Sequence, residues 1–106
     1  MEQLNTEQNQ KFGVVLEAMR SGKAIARKEW IPQGKFIFMQ IPATIPKEVI
    51  PKMQSLPDSI KYSFEKMGFE QISYCDQIAM LDERGFIVGY CPSITDILAE
   101  DWNVIN

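Results

Sequence analysis

Residues 71–91 read QISYCDQIAMLDERGFIVGYC, and the fold turns on how this stretch pairs with itself. The even positions Ile72, Tyr74, Ile78 and Met80 are apolar, as are Phe86, Val88 and Tyr90. Like faces must meet in an antiparallel pair, so partner numbers must sum to an even value. A three-residue loop of Glu83, Arg84 and Gly85, with Gly85 left-handed, supplies that parity. It predicts Met80 opposite Val88 and Ile78 opposite Tyr90. It also puts Cys75 and Cys91 on one face but diagonal, about 7–8 Å apart at their backbones, too far for an unstrained disulfide. The other face carries Ala79, Leu81 and Ile87, so the hairpin is apolar on both sides. Such a sheet needs a helix layer on one side, and a partner subunit can supply the other.

Upstream of the hairpin, Ile60, Phe64 and Met67 share one helical face, and Gly68 is placed to end that helix. Pro42, Pro46, Pro51 and Pro57 forbid any long element across residues 42–57. Short helical turns starting at Pro46 and Pro57 are expected instead, since proline suits the first helical position. The segment reads as a crossover with one short helix packed over a sheet. Before it, KFIFMQI (35–41) is a strand apolar on both faces, as central or sandwiched strands are. Lys23–Trp30 reads as a second strand. The two are joined by IPQG, with Pro32 and Gly34 at the second and fourth positions of a type I turn.

At the N-terminus, Thr6 or Asn5 can cap a helix running to about Ser21. Phe12, Val15, Leu16 and Met19 form its apolar stripe, and Gly22 takes the left-handed position after it. At the other end, Ser93 or Thr95 can cap one short turn with Asp96 at its positive end and Ile97 and Leu98 on its buried side. Trp102, Val104 and Asn106 then alternate as a last strand. The sequence therefore predicts a single domain, residues 1–106. Its class is α+β, with an N-terminal helix and a short crossover helix packed on a mainly antiparallel β-sheet.

Composition narrows the function. The 106 residues carry a net charge of −3 and no long basic run, which argues against duplex nucleic acid as a partner. No apolar run approaches the ~20 residues that cross a bilayer. The start MEQLNTEQNQ has no basic and apolar signal pattern, so a cytoplasmic location is expected. There is no histidine, which removes Ser–His–Asp and Cys–His catalysis and the usual proton shuttle near neutral pH. The chain is accordingly expected not to be an enzyme, and to need no cofactor.

Three groups of residues merit weighing. Asp96 and Glu100, four apart, would share a helical face and, with Asp101, hold a cation or act as an acid–base pair. The favoured reading is a cap and a solvated turn. Cys75 and Cys91 lack an activating base, so buried structural thiols are favoured over nucleophiles. Trp30, Tyr74, Tyr90 and Trp102, with Arg27, Lys23, Lys28 and Lys35, have the mixture of aromatic walls and cations that holds a nucleotide. On residue physics alone, aromatics in a core and cations in solvent outweigh that reading.

FGVVLEAMRSGKAIARKEW (12–30) followed by GKFIFMQIP, then MQSLPDSIK (53–61), and finally YCPSITDILAEDW (90–102) occur in this order. Together they resemble the small phage and prophage domains of the Thoeris anti-defence type-two family, from about Phe12 to Val104. The resemblance implies a sponge: a homo-oligomer, commonly a tetramer, that binds cyclic ADP-ribose-type immune signals near subunit contacts and sequesters them uncleaved. Arg27 and Trp30 match the first signature. Tyr90 stands where many members have tryptophan, and Ser93, Asp96, Asp101 and Trp102 match the last. The resemblance thus implies ligand-binding roles for these seven, to which the aromatic grouping adds Tyr74. Tail carboxylates would accept hydrogen bonds from ribose hydroxyls or an adenine amine, with Trp102 fixing the turn that presents them. Members commonly have G-W-N-G-K-G at the first turn, where this chain has Glu29, Trp30, Ile31, Pro32, Gln33 and Gly34. The new carboxylate and missing asparagine bear on a phosphate contact, and Cys91 replaces a more usual aliphatic residue. Two other readings remain open: an oligomeric protein-interaction module of phage or prophage origin with no small ligand, and a hydrolase using Asp96 or Asp101.

Overall fold

A computed structural model describes residues 8–105 of the chain. These residues form two compact units, one of residues 8–40 and 77–105, the other of residues 41–76. The α+β class holds: helices accompany a mainly antiparallel five-stranded sheet and a second, two-stranded one. No helix among the described residues is long and apolar enough to cross a membrane.

The first unit begins with α1 (Phe12–Arg20). The proposed caps Thr6 and Asn5 lie outside the described residues, and the helix instead starts after Lys11, which makes no side-chain cap. Its end follows the sequence. Gly22 adopts φ +104°, and the amides of Gly22 and Lys23 donate to Met19 and Ala18 oxygens at 3.0 and 3.1 Å, which satisfies carbonyls that the last turn would otherwise strand.

The sheet order is β6-β5-β2-β1-β7, from β1 (Ile25–Arg27), β2 (Phe36–Gln40), β5 (Gln77–Leu81), β6 (Ile87–Gly89) and β7 (Trp102–Val104). β2 is central, as its two apolar faces require. The register aligns Val104, Ile25, Ile37, Met80 and Val88 in one row across all five strands. Val15 and Met19 of α1, Ile25, Ile37 and Trp102 are wholly buried around that row. The opposite face carries the buried Ala26 and Ala79 together with the half-buried Phe36, Phe38 and Leu81. Met80 pairs with Val88 as expected, and the Tyr90 amide donates to Ile78 O at 2.9 Å. The loop is the expected one, with Gly85 at φ +85°. The Asp82 carboxylate accepts from the Arg84 and Phe86 amides at 2.8 and 3.0 Å, an Asx-type turn.

Four expectations are corrected in this unit. The strand predicted over Lys23–Trp30 stops at Arg27, and Lys28–Gln33 is a 3₁₀ helix closed by Gly34 at φ +76°. The Lys28 amide donates to Asp101 O at 3.0 Å, after which the chain turns so that the Trp30 indole reaches the core rather than continuing along the sheet. The predicted type I turn survives inside this helix, with Gly34 N donating to Ile31 O at 3.1 Å. α3 (Ile94–Leu98) buries Asp96 alone, while Ile97 and Leu98 are 49% and 74% exposed. Glu100 lies beyond the end of α3, so it shares no helical face with Asp96. Cys91 is an exposed thiol, as is Cys75 of the other unit, rather than a buried one.

In the second unit, β3 (Ala43–Pro46) pairs antiparallel with β4 (Gln71–Tyr74), and α2 (Asp58–Met67) lies between them in sequence. The crossover helix is thus accompanied by a sheet of its own. The strand expected to run unbroken through residues 71–82 is divided at Cys75 and Asp76, because β4 hydrogen-bonds to β3 while β5 bonds to β2 and β6. Cys75 therefore has no place in the β5–β6 ladder, and the diagonal relation to Cys91 does not arise. Pro46 ends β3 and opens a turn instead of a helix, with Val49 N donating to its oxygen at 3.0 Å. A 3₁₀ turn follows at Ile50–Lys52, and its Ile50 is buried. Pro57 is the residue before α2, not its first, and Gly68 ends the helix at φ +76° as predicted.

Candidate functional site

β1 ends at Arg27, directly opposite Trp102 on β7. Asp101 precedes Trp102, and α3 brings Asp96 alongside. Arg27 Nη1 donates to Asp96 Oδ1 at 2.9 Å and Nε to Asp101 Oδ1 at 2.5 Å. A longer contact of 3.4 Å joins Nη2 to Asp101 Oδ2. The planar guanidinium therefore bridges two carboxylates, a geometry that lysine cannot copy. The Arg27 and Asp96 side chains are 13% and 9% exposed, and Asp101 35%.

Asp96 is the hub of this cluster. The Tyr90 hydroxyl donates to Oδ2 in a short hydrogen bond. The Ser93 amide donates to the same oxygen at 3.1 Å, while the Asp96 amide donates back to Ser93 Oγ at 3.0 Å. Ser93, not Thr95, is thus the cap, and Asp96 closes a capping box in place of the usual Glu or Gln. The backbone oxygen of Asp96 accepts from Trp102 Nε1 at 2.7 Å. No buried side-chain polar atom among the described residues lacks a partner.

The electrostatics follow from this pairing. Burial pushes the Asp96 carboxyl up, but the Tyr90 hydroxyl, the Ser93 donors and Arg27 together hold it below the usual carboxylate range. The hydrogen bond to Asp101 leads in raising Arg27 above its ordinary value, against burial. Burial first, and then the adjacent Asp96, push the Tyr90 phenol well above the usual tyrosine value. A carboxylate held this firmly in its charged form is a weak base.

An aromatic stack adjoins the ionic cluster. Trp102 is wholly buried and meets Phe12 and Trp30 at ring-centroid distances of 5.3 Å each. Trp30 in turn meets Tyr90 edge-on at 5.8 Å. Lys35 Nζ lies 5.4 Å from the Trp30 ring centre, within cation–π range. Seven of the eight predicted site residues, Arg27, Trp30, Tyr90, Ser93, Asp96, Asp101 and Trp102, fall in this one cluster. Tyr74 belongs to the other unit, at the end of β4, exposed and opposite Ala43. The cluster is closed on itself. Trp102 has no free face, and the Asp96 oxygens and three Arg27 nitrogens are occupied within the chain.

Beside the cluster, in the same unit, a cleft of about 470 Å³ is lined by Gln8, Asn9, Lys28, Ile31, Asn103, Val104 and Ile105. Asn103 is buried, and its Oδ1 accepts from the Asn9 amide at 3.1 Å while Nδ2 donates to Asp101 O at 3.0 Å. Asn9 sits at φ +54°, a conformation asparagine tolerates better than most residues. Sequence reasoning missed both asparagines. The alternation of β7 puts Asn103 on the face away from Trp102, but no local pattern marks a buried amide. The second unit has its own cleft of about 620 Å³ between α2 and the turn after β3, with Lys61, Tyr62, Glu65 and Phe69 among its walls.

No curated protein matches the chain. A family model described as Tad2-like, the Thoeris anti-defense 2-like domain, matches residues 10–105, a span that holds every residue of the cluster just described. The chain belongs to the Thoeris anti-defense 2-like domain family, whose role is anti-defence.

Proposed function

We propose that this protein acts in anti-defence by binding a cyclic ADP-ribose-type signalling nucleotide and sequestering it uncleaved, as a homo-oligomer. The observation that carries the proposal is the family match across residues 10–105, which includes every carried-over signature residue. The cleft beside the cluster supports it, offering the Lys28 ammonium for a phosphate and Ile31 and Ile105 as apolar wall. Lys35, poised over Trp30, is a second cation within the same unit. The occupied state of Arg27 and Asp96 assigns them to holding the site together, with Asp101, Ser93 and the edge of Tyr90 as its more exposed members. A low-pKa, fully bonded Asp96 suits retention of a ligand better than proton transfer.

A thermal-shift screen with cyclic ADP-ribose isomers tests this, followed by heating the complex and weighing what is released. Intact ligand is expected. Cleaved product would make the protein an enzyme, and no shift with any isomer would end the sponge reading. K28E is expected to weaken binding at least ~10-fold, as loss of a charge-assisted phosphate contact does, with little change in Tm.

One observation favours the second reading, an oligomeric interaction module with no small ligand: Ile94, Ile97 and Leu98 of α3 are 77%, 49% and 74% exposed. On that reading W30A and Y90A change assembly or stability and leave no nucleotide binding to lose.

A further inference from the structure

The cleft of the second unit plays no part in the function proposed above. Its volume of about 620 Å³ falls within the range of small-molecule sites. One wall is the turn after β3, with Ile50 and Pro51, and the other is α2. Asp58, Lys61, Glu65 and Gly68 line it at spacings of three and four, so α2 turns one face to the cleft. No residue of α2 is buried. Tyr62 and Phe69 are 60% and 49% exposed, and Phe69 meets Phe64 at a ring-centroid distance of 6.4 Å. The walls therefore offer open aromatic surface.

The charges of the cleft are of both signs. The Lys61 side chain is withdrawn into the wall, 17% exposed, against 53% for Lys47 and 80% for Glu70 at the rim. Its ammonium donates to Pro51 O at 3.1 Å. Its one ion pair, to Asp58 Oδ1, is 3.7 Å long, and Asp58 is fully exposed, where water screens the charge. An ammonium has three donors, so Lys61 keeps hydrogen-bonding capacity for a ligand. One turn further along α2, the Glu65 carboxylate has no hydrogen bond or ion pair among the described residues, because Lys61 turns to Pro51 instead of across to it. Two cations, Lys47 and Lys61, stand against three carboxylates, Asp58, Glu65 and Glu70. That excess of negative charge disfavours a ligand with several phosphates, and a simple cation would leave Lys61 unmatched. A molecule carrying one charge of each sign satisfies both.

We propose that this cleft binds a free aromatic amino acid, its carboxylate on Lys61, its ammonium on Glu65 and its ring against Tyr62 and Phe69. Positions four apart on a helix bring Cβ atoms within ~6 Å, so the two side chains can grip opposite ends of one zwitterion. The orientation suits the helix as well. Lys61 lies nearer the start of α2 and Glu65 nearer its end, so the ligand's negative group faces the positive pole of the helix and its positive group the negative pole. The ring supplies the apolar area that an aromatic wall rewards. Every residue invoked belongs to the second unit, and nothing in this site rests on the nucleotide reading.

Titration calorimetry with L-tryptophan tests the site, and saturable binding at one site per chain is expected. Tryptamine lacks the carboxylate and N-acetyl-L-tryptophan the ammonium, so each should bind the unmodified protein at least ~10-fold more weakly, as loss of a charge-assisted contact does. K61Q and E65Q should each weaken tryptophan by a similar factor. K61Q should then cost tryptamine nothing further, and E65Q should cost N-acetyl-L-tryptophan nothing further, because the contact is already absent. No saturable binding of tryptophan overturns the site. Equal affinity for tryptophan and its two analogues, or an E65Q loss as large for N-acetyl-L-tryptophan as for tryptophan, overturns the assignment of the two charges. The analogues decide the matter in the unmodified protein, whether or not a variant folds. Displacement of tryptophan by a cyclic ADP-ribose isomer would overturn a site separate from the nucleotide's. Tryptophan bound with no nucleotide bound counts against the proposed function alone.

Discussion

Replacing Asp96 by asparagine keeps the size of the side chain and removes the charge on which Arg27, Tyr90 and the Ser93 amide converge. Breaking one partner of a buried ion pair costs about 3 kcal/mol, so D96N is expected to lower Tm by roughly 15 °C in a chain of this size. A drop of only a few degrees, read by calorimetry, would show that the cluster is no hub. The pH dependence has two limbs. The folded-state pKa of Asp96 is depressed, so its stabilisation is present above the unfolded value near ~4 and is lost as pH falls below it. That of Tyr90 is raised, so its stabilisation is present below the unfolded value near ~10 and is lost as pH rises past it. Tm should therefore fall on both sides, and Y90F should flatten the alkaline limb. Wild-type alkaline steepness in Y90F would contradict the Tyr90–Asp96 bond. These roles were half legible. The residue types and order in YCPSITDILAEDW marked the positions, but the sequence does not say that their polar atoms would be used up on one another.

Among the elements, those governed by neighbours in sequence were the ones predicted. The β5–β6 hairpin, its loop and its register followed from parity and from Gly85, because all its determinants lie within about fifteen residues of each other. The ends of α1 and α2 followed from Gly22 and Gly68 for the same reason. α3 was placed correctly and turned the wrong way. Its apolar residues are exposed and its aspartate buried, since a distant arginine on β1 outweighs local hydrophobic pattern. Its cap is testable: S93A should cost about 1 kcal/mol, whereas T95A, with no capping role, should cost a few tenths at most. Equal losses measured by denaturant titration would transfer the cap to Thr95. The alternation of Lys23–Trp30 predicts strand where the 3₁₀ helix Lys28–Gln33 begins, because it does not register that the Trp30 indole packs inward against Trp102 and Tyr90.

For the whole molecule, the chain leaves β2 at Gln40 and returns to β5 at Gln77, and these two residues are direct cross-strand partners. Every residue of the main core, from Val15 to Trp102, lies outside residues 41–76. Replacing 41–76 by Asn-Gly, the two-residue turn favoured between antiparallel strands, should leave the first unit folded. Its Tm should stay within ~5 °C of the parent, roughly 1 kcal/mol. Loss of cooperative unfolding in the shortened chain would show that the second unit is needed for the first to fold.

The sequence by itself determined the fold class, the central place of β2 and the hairpin register, because apolar period and turn chemistry act over short separations, whereas the residues gathered at the end of β1 were marked by the family resemblance alone. Tertiary structure alone decided that residues 41–76 make a separate unit, that both thiols face solvent and that Asp96 rather than Leu98 is buried. Those outcomes depend on which distant strand or side chain arrives as a partner. Pairing energy between β3 and β4, or between Arg27 and Asp96, is a property of two segments at once, and no single stretch of chain encodes it.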